Sequence, residues 1–464
     1  MNRFIPFFVA ALVLAGCATA PPSTPPDTPM QVAYKEAPPG WINAAPADAL
    51  ERGPWWTLFG DQQLNALAQR VQVSNQNIAA SVAAYAQAQA LVREQRASLF
   101  PQVGLDASAS RSGGSGANTG NRHQLSLGAS WAPDLWGRLR GSVAAAGARA
   151  EASAADLASA RLSITGELAA NYFSLRETDA ERELLRATIE GYERSLQIAR
   201  NRYDAGVVPR SDLLQAQTQL ANAQADLAGL DRQRAQLEHA IAVLVGEAPG
   251  NFSLAPAAWR AEALPAVPLG LPSALLQRRP DVAAAERRMA AANAQIGVAR
   301  AGYFPDIGLS ASTGFSAARL ADQFSANVWS LGLSLAQTVF DAGATRAQVD
   351  QARAAWEQAV AQYRQTVLEA FRDVEDQLAA TRVLERQYAL RRQASEAADQ
   401  TEQQVMNRYR AGQVSYSEVV AAQASALSAR RTLVQLTASR QTGAVALIQS
   451  LGGGWQADPR SPSP

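Results

Sequence analysis

The feature that most constrains the fold is a structural unit that occurs twice in the chain. Four pairs of segments match at nearly constant offsets, 204 residues for the first two pairs and 206 residues for the last two. The pairs are Leu99–Leu105 with Tyr303–Leu309, Leu135-Trp136 with Val339-Phe340, Arg202–Val208 with Arg408–Val414, and Gly246 with Gly452. Matches at a fixed period indicate duplication of one supersecondary unit. Each unit is predicted to run helix, β-hairpin, long helix, turn and helix.

The longest part of each unit is a stretch without proline, Ser142–Tyr203 in the first and Ala344–Tyr409 in the second. Both stretches are rich in Ala, Leu, Arg and Glu, which are good helix formers. Apolar residues in the first stretch recur at alternating steps of four and three, which is coiled-coil spacing. These residues are Leu185, Ile189, Tyr192, Leu196, Ala199 and Tyr203. A single helix of this length would reach roughly 90 Å, so the protein is predicted to span a distance.

Short runs with a period of two separate these helices. The four runs, at about 102–110, 124–134, 306–315 and 328–338, alternate apolar residues with small or polar ones. Their lengths approach the ~9–11 residues with which a tilted strand crosses a bilayer. The Gly-, Ser- and Asn-rich stretch 111–122 is predicted to be a loop. A soluble hairpin packed on a core would show the same alternation.

Four strands with one apolar face do not close a barrel within one chain. Open strand edges are not tolerated in lipid, so closure requires several chains. Two copies would supply eight strands, three copies twelve and four copies sixteen. The predicted inward positions carry Gly, Ser and Ala, which line a lumen but do not fill one.

The N-terminus has the pattern of a lipoprotein signal. Arg3 precedes an apolar run that ends in Leu14-Ala15-Gly16-Cys17. This sequence resembles a bacterial lipobox, in which cleavage before the cysteine accompanies its lipidation, and Cys17 is the only cysteine in the chain. The alternative is an ordinary signal peptide with an incidental cysteine. Ala18 follows, and not the aspartate that commonly retains lipoproteins in the inner membrane, which favours the outer membrane.

These patterns divide the chain into six segments. They are a signal peptide (1–16), a lipid anchor with a proline-rich tether (17–60), the first repeat (61–246), a linker (247–271), the second repeat (272–452) and a C-terminal tail (453–464). Eight prolines between Ala18 and Pro46 predict an extended tether that packs against nothing.

Composition excludes several functions. The 42 basic residues balance 41 acidic ones, and no basic tract indicates binding to nucleic acid. With only His123, His239 and Cys17 available, a zinc site, a Cys-His nucleophile or a disulfide framework has too few ligands or partners. Neither histidine lies near a nucleophile motif such as G-x-S-x-G. We therefore expect neither enzymatic activity nor a cofactor.

The mature chain resembles the bacterial outer-membrane efflux factors, the TolC-type channel-tunnels, and among them the lipid-anchored branch. The resemblance covers roughly residues 50–452. It is carried by the lipobox, the Phe-Pro junctions at Pro101 and Pro305, Leu135-Trp136-Gly137, and the two Arg-Tyr-x-Ala-Gly turns.

This resemblance implies a mainly α fold with a membrane β portion. A homotrimer would form a twelve-stranded β-barrel in the outer membrane, continuous with a twelve-helix α-barrel that extends into the periplasm. It also implies docking to a periplasmic membrane-fusion adaptor and an inner-membrane efflux pump, with small molecules expelled through the lumen. Lipid-anchored members most often serve proton-driven drug or metal efflux, and others in the family serve protein secretion.

Two sets of candidate residues lie at the far ends of the long helices. The adaptor-docking tips are Arg202, Tyr203, Gly206, Val207 and Val208 in the first repeat, and Arg408, Tyr409, Gly412, Gln413 and Val414 in the second. In related tunnels, charged side chains just beyond the second turn latch the periplasmic mouth. The matching positions here are Ala421 and Ala424, with Glu418 one turn earlier and Asp212 as its counterpart. We therefore expect a mouth closed by helix packing and a preference for cations.

Two alternative functions are a protein-secretion component and a periplasmic coiled-coil scaffold lipoprotein. A scaffold has no need of the four alternating runs. Aromatic residues at the ends of these runs are predicted to form an interfacial belt rather than a core. They are Phe100, Trp131, Trp136, Phe304, Phe315, Trp329 and Phe340.

Overall fold

A computed structural model describes residues 34–36, 54–114, 117–257, 259, 264–265, 279–317 and 327–453. The helices are α1 Gln62–Ser74, α2 Gln76–Ala97, α3 Arg138–Asp204, α4 Arg210–Leu244, α5 Pro280–Ala301, α6 Ala344–Arg410 and α7 Tyr416–Ser450. The strands are β1 Gln102–Gly114, β2 Ala117–Trp131, β3 Asp306–Ala317 and β4 Asn327–Ala336. The predicted order of elements in each repeat is confirmed. The signal peptide, Cys17, the boundary at residue 272 and most of the tail lie outside the described residues.

The two long helices, α3 and α6, each contain 67 residues, which corresponds to roughly 100 Å. Both begin after a left-handed glycine, Gly137 or Gly343. A carboxylate accepts backbone N–H groups at each start: Asp134 bonds the first turn of α3, and Asp341 does the same for α6. These bonds satisfy donors that a helix start otherwise leaves open. Within the described residues, no helix combines the length and apolarity needed to cross a bilayer.

Each long helix packs against the return helix of its own repeat, α3 against α4 and α6 against α7. The predicted apolar seam of α3 meets α4 in a small core of its own. Its members are Leu185, Tyr192, Ala223 and Leu230, with Ile189, Leu220, Leu227 and Leu427 around them. The spacing therefore marks packing residues as far as Ala199, whereas Tyr203 at the end of the predicted seam is exposed.

The prediction of one helix at the start of the first repeat is wrong, because that stretch is broken at Asn75 into α1 and α2. The side chain of Asn75 accepts the backbone N–H groups of Asn77 and Ile78, and its amide donates to the carbonyl of Leu244 at 2.8 Å. An asparagine that caps a new helix competes with continuation of the old one. Asp61 caps the start of α1.

The four strands form one antiparallel sheet in the order β1-β2-β3-β4. The registers align like residues across all strands. Leu105, Leu127, Thr313 and Trp329 form one row, and Gly104, Gly128, Ser312 and Ser330 form the adjacent row. Because side chains alternate between faces, the sheet has one continuous apolar face and one continuous face of small residues.

The bounds of the first hairpin differ from the prediction. The loop predicted over 111–122 is mostly strand, because pairing continues from Ser110 with Arg122 to Gly114 with Ala117. Gly, Ser and Asn have a low intrinsic β-propensity, but here the pairing of β1 with β2 outweighs it, as is common for strands. At its other end β2 ends at Trp131 and not at residue 134, because Pro133 has no N–H to donate. β4 likewise ends at Ala336.

Each strand is connected to a helix at one of its ends, and these four helices lie side by side in the same order as the strands. α2 leads into β1, β2 into α3, α5 into β3, and β4 into α6. Contacts join α2 to α3, α3 to α5, and α5 to α6. The sheet and the helical layer beneath it therefore share the same two open edges, one at β1 and α2 and the other at β4 and α6.

A thicker region, here called the waist, surrounds the middle of α3 and α6. Its two apolar cores join α1, α3 and the end of α4 in one case, and α5, α6 and α7 in the other. Tyr34 is buried in the second core, while the backbone N–H groups of Lys35 and Glu36 donate to the carboxylate of Glu375. The prediction of a tether that packs against nothing is wrong for these three residues, because Tyr34 supplies an apolar ring that the core accepts.

Candidate functional site

The two turns at the far ends of the repeats share one backbone geometry. Gly206 has a φ of 68° and Gly412 a φ of 74°, in the left-handed region that side-chain-bearing residues resist. In the first tip, the N–H groups of Gly206 and Val207 donate to the carbonyls of Tyr203 and Arg202. The second tip repeats these bonds at equivalent residues. This is the Schellman motif, which satisfies carbonyls at a helix end.

The side chains of the two tips are not equivalent. Arg202 donates from Nη1 to the carbonyl of Tyr409 at 2.9 Å, and its guanidinium lies 4.8 Å from the centroid of the Tyr409 ring. Arg202 therefore connects the first tip to the second, because its guanidinium is hydrogen-bonded to a carbonyl of the same chain. Arg408, its counterpart, is exposed.

The surface around the tips is small and partly apolar. Val207 is 62% exposed, Val208 and Val414 are half-buried, and Gln413 is exposed. Tyr203 is also exposed, whereas Tyr409 is buried against Tyr416 with ring centroids 5.3 Å apart. Of the two predicted tyrosines, only Tyr203 has an exposed ring.

The four predicted mouth residues lie in the first turns of α4 and α7 or just beyond. Asp212 is half-buried in the first turn of α4, and Glu418 is exposed in the first turn of α7. Ala421 and Ala424 are exposed. A carboxylate in the first turn of a helix is favoured by the helix dipole, so both acids have a structural role whether or not they lie at a mouth.

The structure adds a polar seam between the two coiled coils, which sequence reasoning did not identify. Gln423 of α7 donates to the hydroxyl of Ser195 of α3 at 3.4 Å, across the two coiled coils. Beside it, within the first coiled coil, Gln219 donates to the hydroxyl of Tyr192 at 3.1 Å. Burial, with a smaller effect of Tyr409, raises the pKa of Tyr416 to about 12, so its hydroxyl stays neutral. Buried glutamine and serine within an otherwise apolar heptad are the only sequence signal for this seam.

The junction between strands and helices is held by two indole rings. Trp131 donates its ring N–H to the carbonyl of Leu99 at 3.0 Å, and Trp136 donates to that of Pro305 at 2.7 Å. Trp136 also stacks on Phe304 with centroids 4.9 Å apart. These members of the predicted belt thus lock the junction, whereas Phe100 and Phe340 are largely exposed at the two open edges.

Among the residues that the structure describes, no cluster of three or more His, Cys, Asp or Glu is arranged to hold a metal ion. The geometry is that of a membrane-facing sheet carried on two long coiled coils, with a lumen face of small residues. It defines a class, the protomers of channel-tunnels that connect a membrane barrel to a helical conduit.

The chain belongs to the outer membrane efflux protein family, whose model matches residues 67–247 and 271–453. It is 32% identical to the pyoverdine export outer membrane protein OpmQ of Pseudomonas aeruginosa, over 97% of this chain and 96% of that protein. It is 30% identical to the cation efflux system protein CusC of Escherichia coli, over 97% and 99%. The solved structure of the outer-membrane channel OprN superposes with a TM-score of 0.85 at 31% identity, covering 95% of this chain and 100% of that one.

The predicted fold class and function are confirmed by these findings. The protein is the outer-membrane channel component of a tripartite efflux system, with the fold of the trimeric tunnels that join a β-barrel to a helical conduit. It extends from the outer membrane into the periplasm. The family is one of channels and not of enzymes.

Proposed function

We propose that three copies of the chain form a passive conduit for small molecules, which an inner-membrane pump delivers through a periplasmic adaptor. The observation that carries this proposal is the shared open edges of the sheet and the helical layer. A sheet edge in lipid must be paired, and twelve strands leave a lumen where eight would be filled by side chains. OpmQ is named for pyoverdine and CusC for cations, which supports a small solute over a secreted protein.

The trimer is tested by electrophoresis of the channel with and without boiling. We expect an SDS-resistant band at three times the protomer mass that collapses on boiling. A periplasmic scaffold, which has no closed membrane barrel, is expected to run as a monomer in both lanes.

We also propose that Cys17 carries the lipid anchor. Lys35 is the only lysine in the chain, so a lipoprotein with an acylated N-terminal amine has a single reactive amine. Mass spectrometry of the mature protein is expected to show a modified Cys17, and an amine reagent is expected to label the denatured chain once. An unmodified Cys17 with two labelled amines would contradict the lipid anchor.

The tips are proposed to dock the adaptor. They combine the exposed Val207 and the half-buried Val208 and Val414 with backbone turns that lie farthest from the sheet. Arg408 offers a forked donor for carbonyls or carboxylates. Arg202 contributes less to a partner than the sequence suggests, because it already bonds the carbonyl of Tyr409. Contacts at so small a surface are expected to be few and sensitive to single changes.

Replacing Gly206 or Gly412 with tryptophan is expected to abolish efflux while the trimer still assembles. No atom lies within 4 Å of a Cβ built at Gly206, and only the end of the Arg202 side chain approaches Gly412, so the ring must project outward. The control is alanine at the same glycine, which imposes the same backbone strain without bulk. Drug susceptibility, adaptor crosslinking and the trimer band are the measurements. If crosslinking and resistance persist with tryptophan at both sites, the docking surface lies elsewhere.

The mouth is proposed to be closed by helix packing and to prefer cations. In a trimer, three copies each of Asp212 and Glu418 would crowd the axis and raise the local cation concentration, whereas Ala421 and Ala424 supply no latch. The double variant Asp212→Asn with Glu418→Gln is expected to lose cation selectivity in bilayer recordings. An anion-selective wild-type pore that the double variant leaves unchanged would contradict the proposal.

A further inference from the structure

Three polar side chains lie on the apolar face of the sheet, at the end of the sheet away from the helices. The pairing of residues 102–112 of β1 with residues 120–130 of β2 has no shift in register, so side chains alternate regularly between the two faces. This alternation places Arg111, the opposite Asn121, and His123 on the same face as the leucines of both strands. These three residues are here called the outer patch, because the helices extend into the periplasm from the other end of the sheet.

The outer patch contains the ionisable groups of the apolar face. Among the described residues of the four strands, this face carries no Asp or Glu, and only Arg111 and His123 have side chains that ionise. The acid of β1, Asp106, lies on the lumen face opposite Ser126. Because a guanidinium is always charged, the described part of the apolar face is positive at its outer end.

The depth of the outer patch corresponds to the outer edge of the apolar band. Trp131 lies at the junction with the helices, where its ring N–H bonds the carbonyl of Leu99. Asn121 precedes Trp131 on β2 by about ten residues, which is roughly 34 Å along a strand and roughly 24–28 Å of height at a tilt of about 35–45°. The apolar band of a membrane barrel is about 25 Å tall. Arg111, opposite Asn121, therefore lies at the outer headgroup layer, where an arginine is tolerated.

The side chains of the outer patch supply the donors that a phosphate group accepts. Arg111 is exposed and offers a planar fork of N–H groups, and the opposite Asn121 offers an amide. His123 is the diagonal neighbour of Arg111 across the two strands, at a separation of about 7–8 Å, and offers a ring N–H. The three groups therefore converge on a volume that one phosphate would fill.

Small apolar residues lie directly below these donors. Ala107 and Ala109 precede Arg111 on the same face of β1, and they lie opposite Leu125 and His123. Their side chains are shorter than those of the leucines on this face, so they leave a shallow furrow that runs from Arg111 toward the middle of the sheet. A furrow of this kind can accommodate an acyl chain.

We propose that the outer patch binds a phosphorylated lipid of the outer leaflet, with the phosphate on Arg111 and an acyl chain along the furrow. The occupant is a lipid and not a free anion, because this face of the sheet borders the bilayer and not the lumen. β1 is also an open edge of the sheet, which another copy of the chain covers in a trimer. The bound lipid would therefore lie beside the joint between two protomers and stabilise it, a role separate from the conduit.

The site is tested by native mass spectrometry of the trimer in detergent, titrated with diphosphorylated lipid A. We expect Arg111→Gln to weaken the apparent affinity about 10-fold or more, because the phosphate loses its charge-assisted fork. Arg111→Lys keeps the charge without the fork and is expected to bind with intermediate affinity. The matched control is Arg122→Gln, which removes the same charge beside His123 but on the lumen face, and is expected to bind like the wild type.

The ligand is then varied with the wild-type trimer, so that this part of the test does not depend on the folding of a variant. Lipid A from which both phosphates have been removed is expected to bind about 10-fold more weakly or worse, because it offers no charged acceptor. An excess of inorganic phosphate is expected to leave diphosphorylated lipid A bound, because a free anion gains nothing from the furrow.

Three outcomes would overturn the proposal. Equal affinities of Arg111→Gln and Arg122→Gln would show that the outer patch is not the site. Equal binding of lipid A with and without its phosphates would show that no phosphate is recognised. Displacement of the lipid by inorganic phosphate would show a site for a free anion instead of a lipid.

Discussion

Arginine in place of Leu331 is expected to abolish insertion of the channel into the outer membrane. Leu331 lies in the middle of β4, is 79% exposed and belongs to the apolar face of the sheet. An arginine that faces lipid near the bilayer midplane costs a transmembrane barrel about 2–4 kcal/mol, and a trimer would carry three. The measurements are fractionation of the membranes and the SDS-resistant trimer band.

The matched control is Ser330→Arg, one residue away on the opposite face. Ser330 lies in the row of small residues and shares a 2.9 Å hydrogen bond with Ser312. This arginine would enter a water-filled lumen, so the trimer is expected to insert and its ion selectivity to shift toward anions. If Leu331→Arg inserts normally while Ser330→Arg does not, the two faces of the sheet are assigned the wrong way round.

Alanine in place of Arg176 is expected to destabilise the waist by about 3–5 kcal/mol, the usual cost of removing one partner from a buried charge network. Arg176 is 1% exposed and donates to Asp179, to the carbonyl of Ala255 and to Gln63. It therefore joins α3 to α1 and to the linker between the repeats. Its loss leaves these acceptors incompletely paired and opens a cavity beside Tyr172, whose ring it covers.

The measurement is the temperature at which helical circular dichroism and the trimer band are lost in detergent. Arg186→Ala is the control, because Arg186 lies on the same helix, is half-exposed and contacts Glu183 only at 3.8 Å. Such a surface ion pair contributes about 0–1 kcal/mol to stability. The melting temperature of Arg186→Ala is therefore expected to match that of the wild type. Equal melting of both variants would show that the waist does not depend on the Arg176 network.

Much of this fold could be predicted from the sequence, because its signals are local and occur twice. Each of these signals indicates the backbone conformation of the residues that carry it: proline-free stretches indicate helix, glycines indicate turns, and runs with a period of two indicate strand. The repeat then distinguishes pattern from chance. The Arg-Tyr-x-Ala-Gly turns illustrate this, since both fold into the same hydrogen-bonded cap.

What the sequence missed depends on partners distant in the chain. Asn75 looks like any polar residue of a helix, and its role as a cap follows from the carbonyl of Leu244 beside it. Residues 111–114 and 117–122 become strand because two chain segments pair. The bond from Arg202 to Tyr409 joins positions 207 residues apart, and no spacing rule reports it.

The mismatch between the two tips has a consequence for how partners are counted. Their backbones are nearly identical, so a trimer would present six turns with pseudo-sixfold symmetry. Their side chains differ, because Arg202 crosses to the neighbouring turn whereas Arg408 remains exposed. A partner that binds the backbone of the turns would have six equivalent sites around the ring. A partner that binds the exposed Arg408 side chains would have only three.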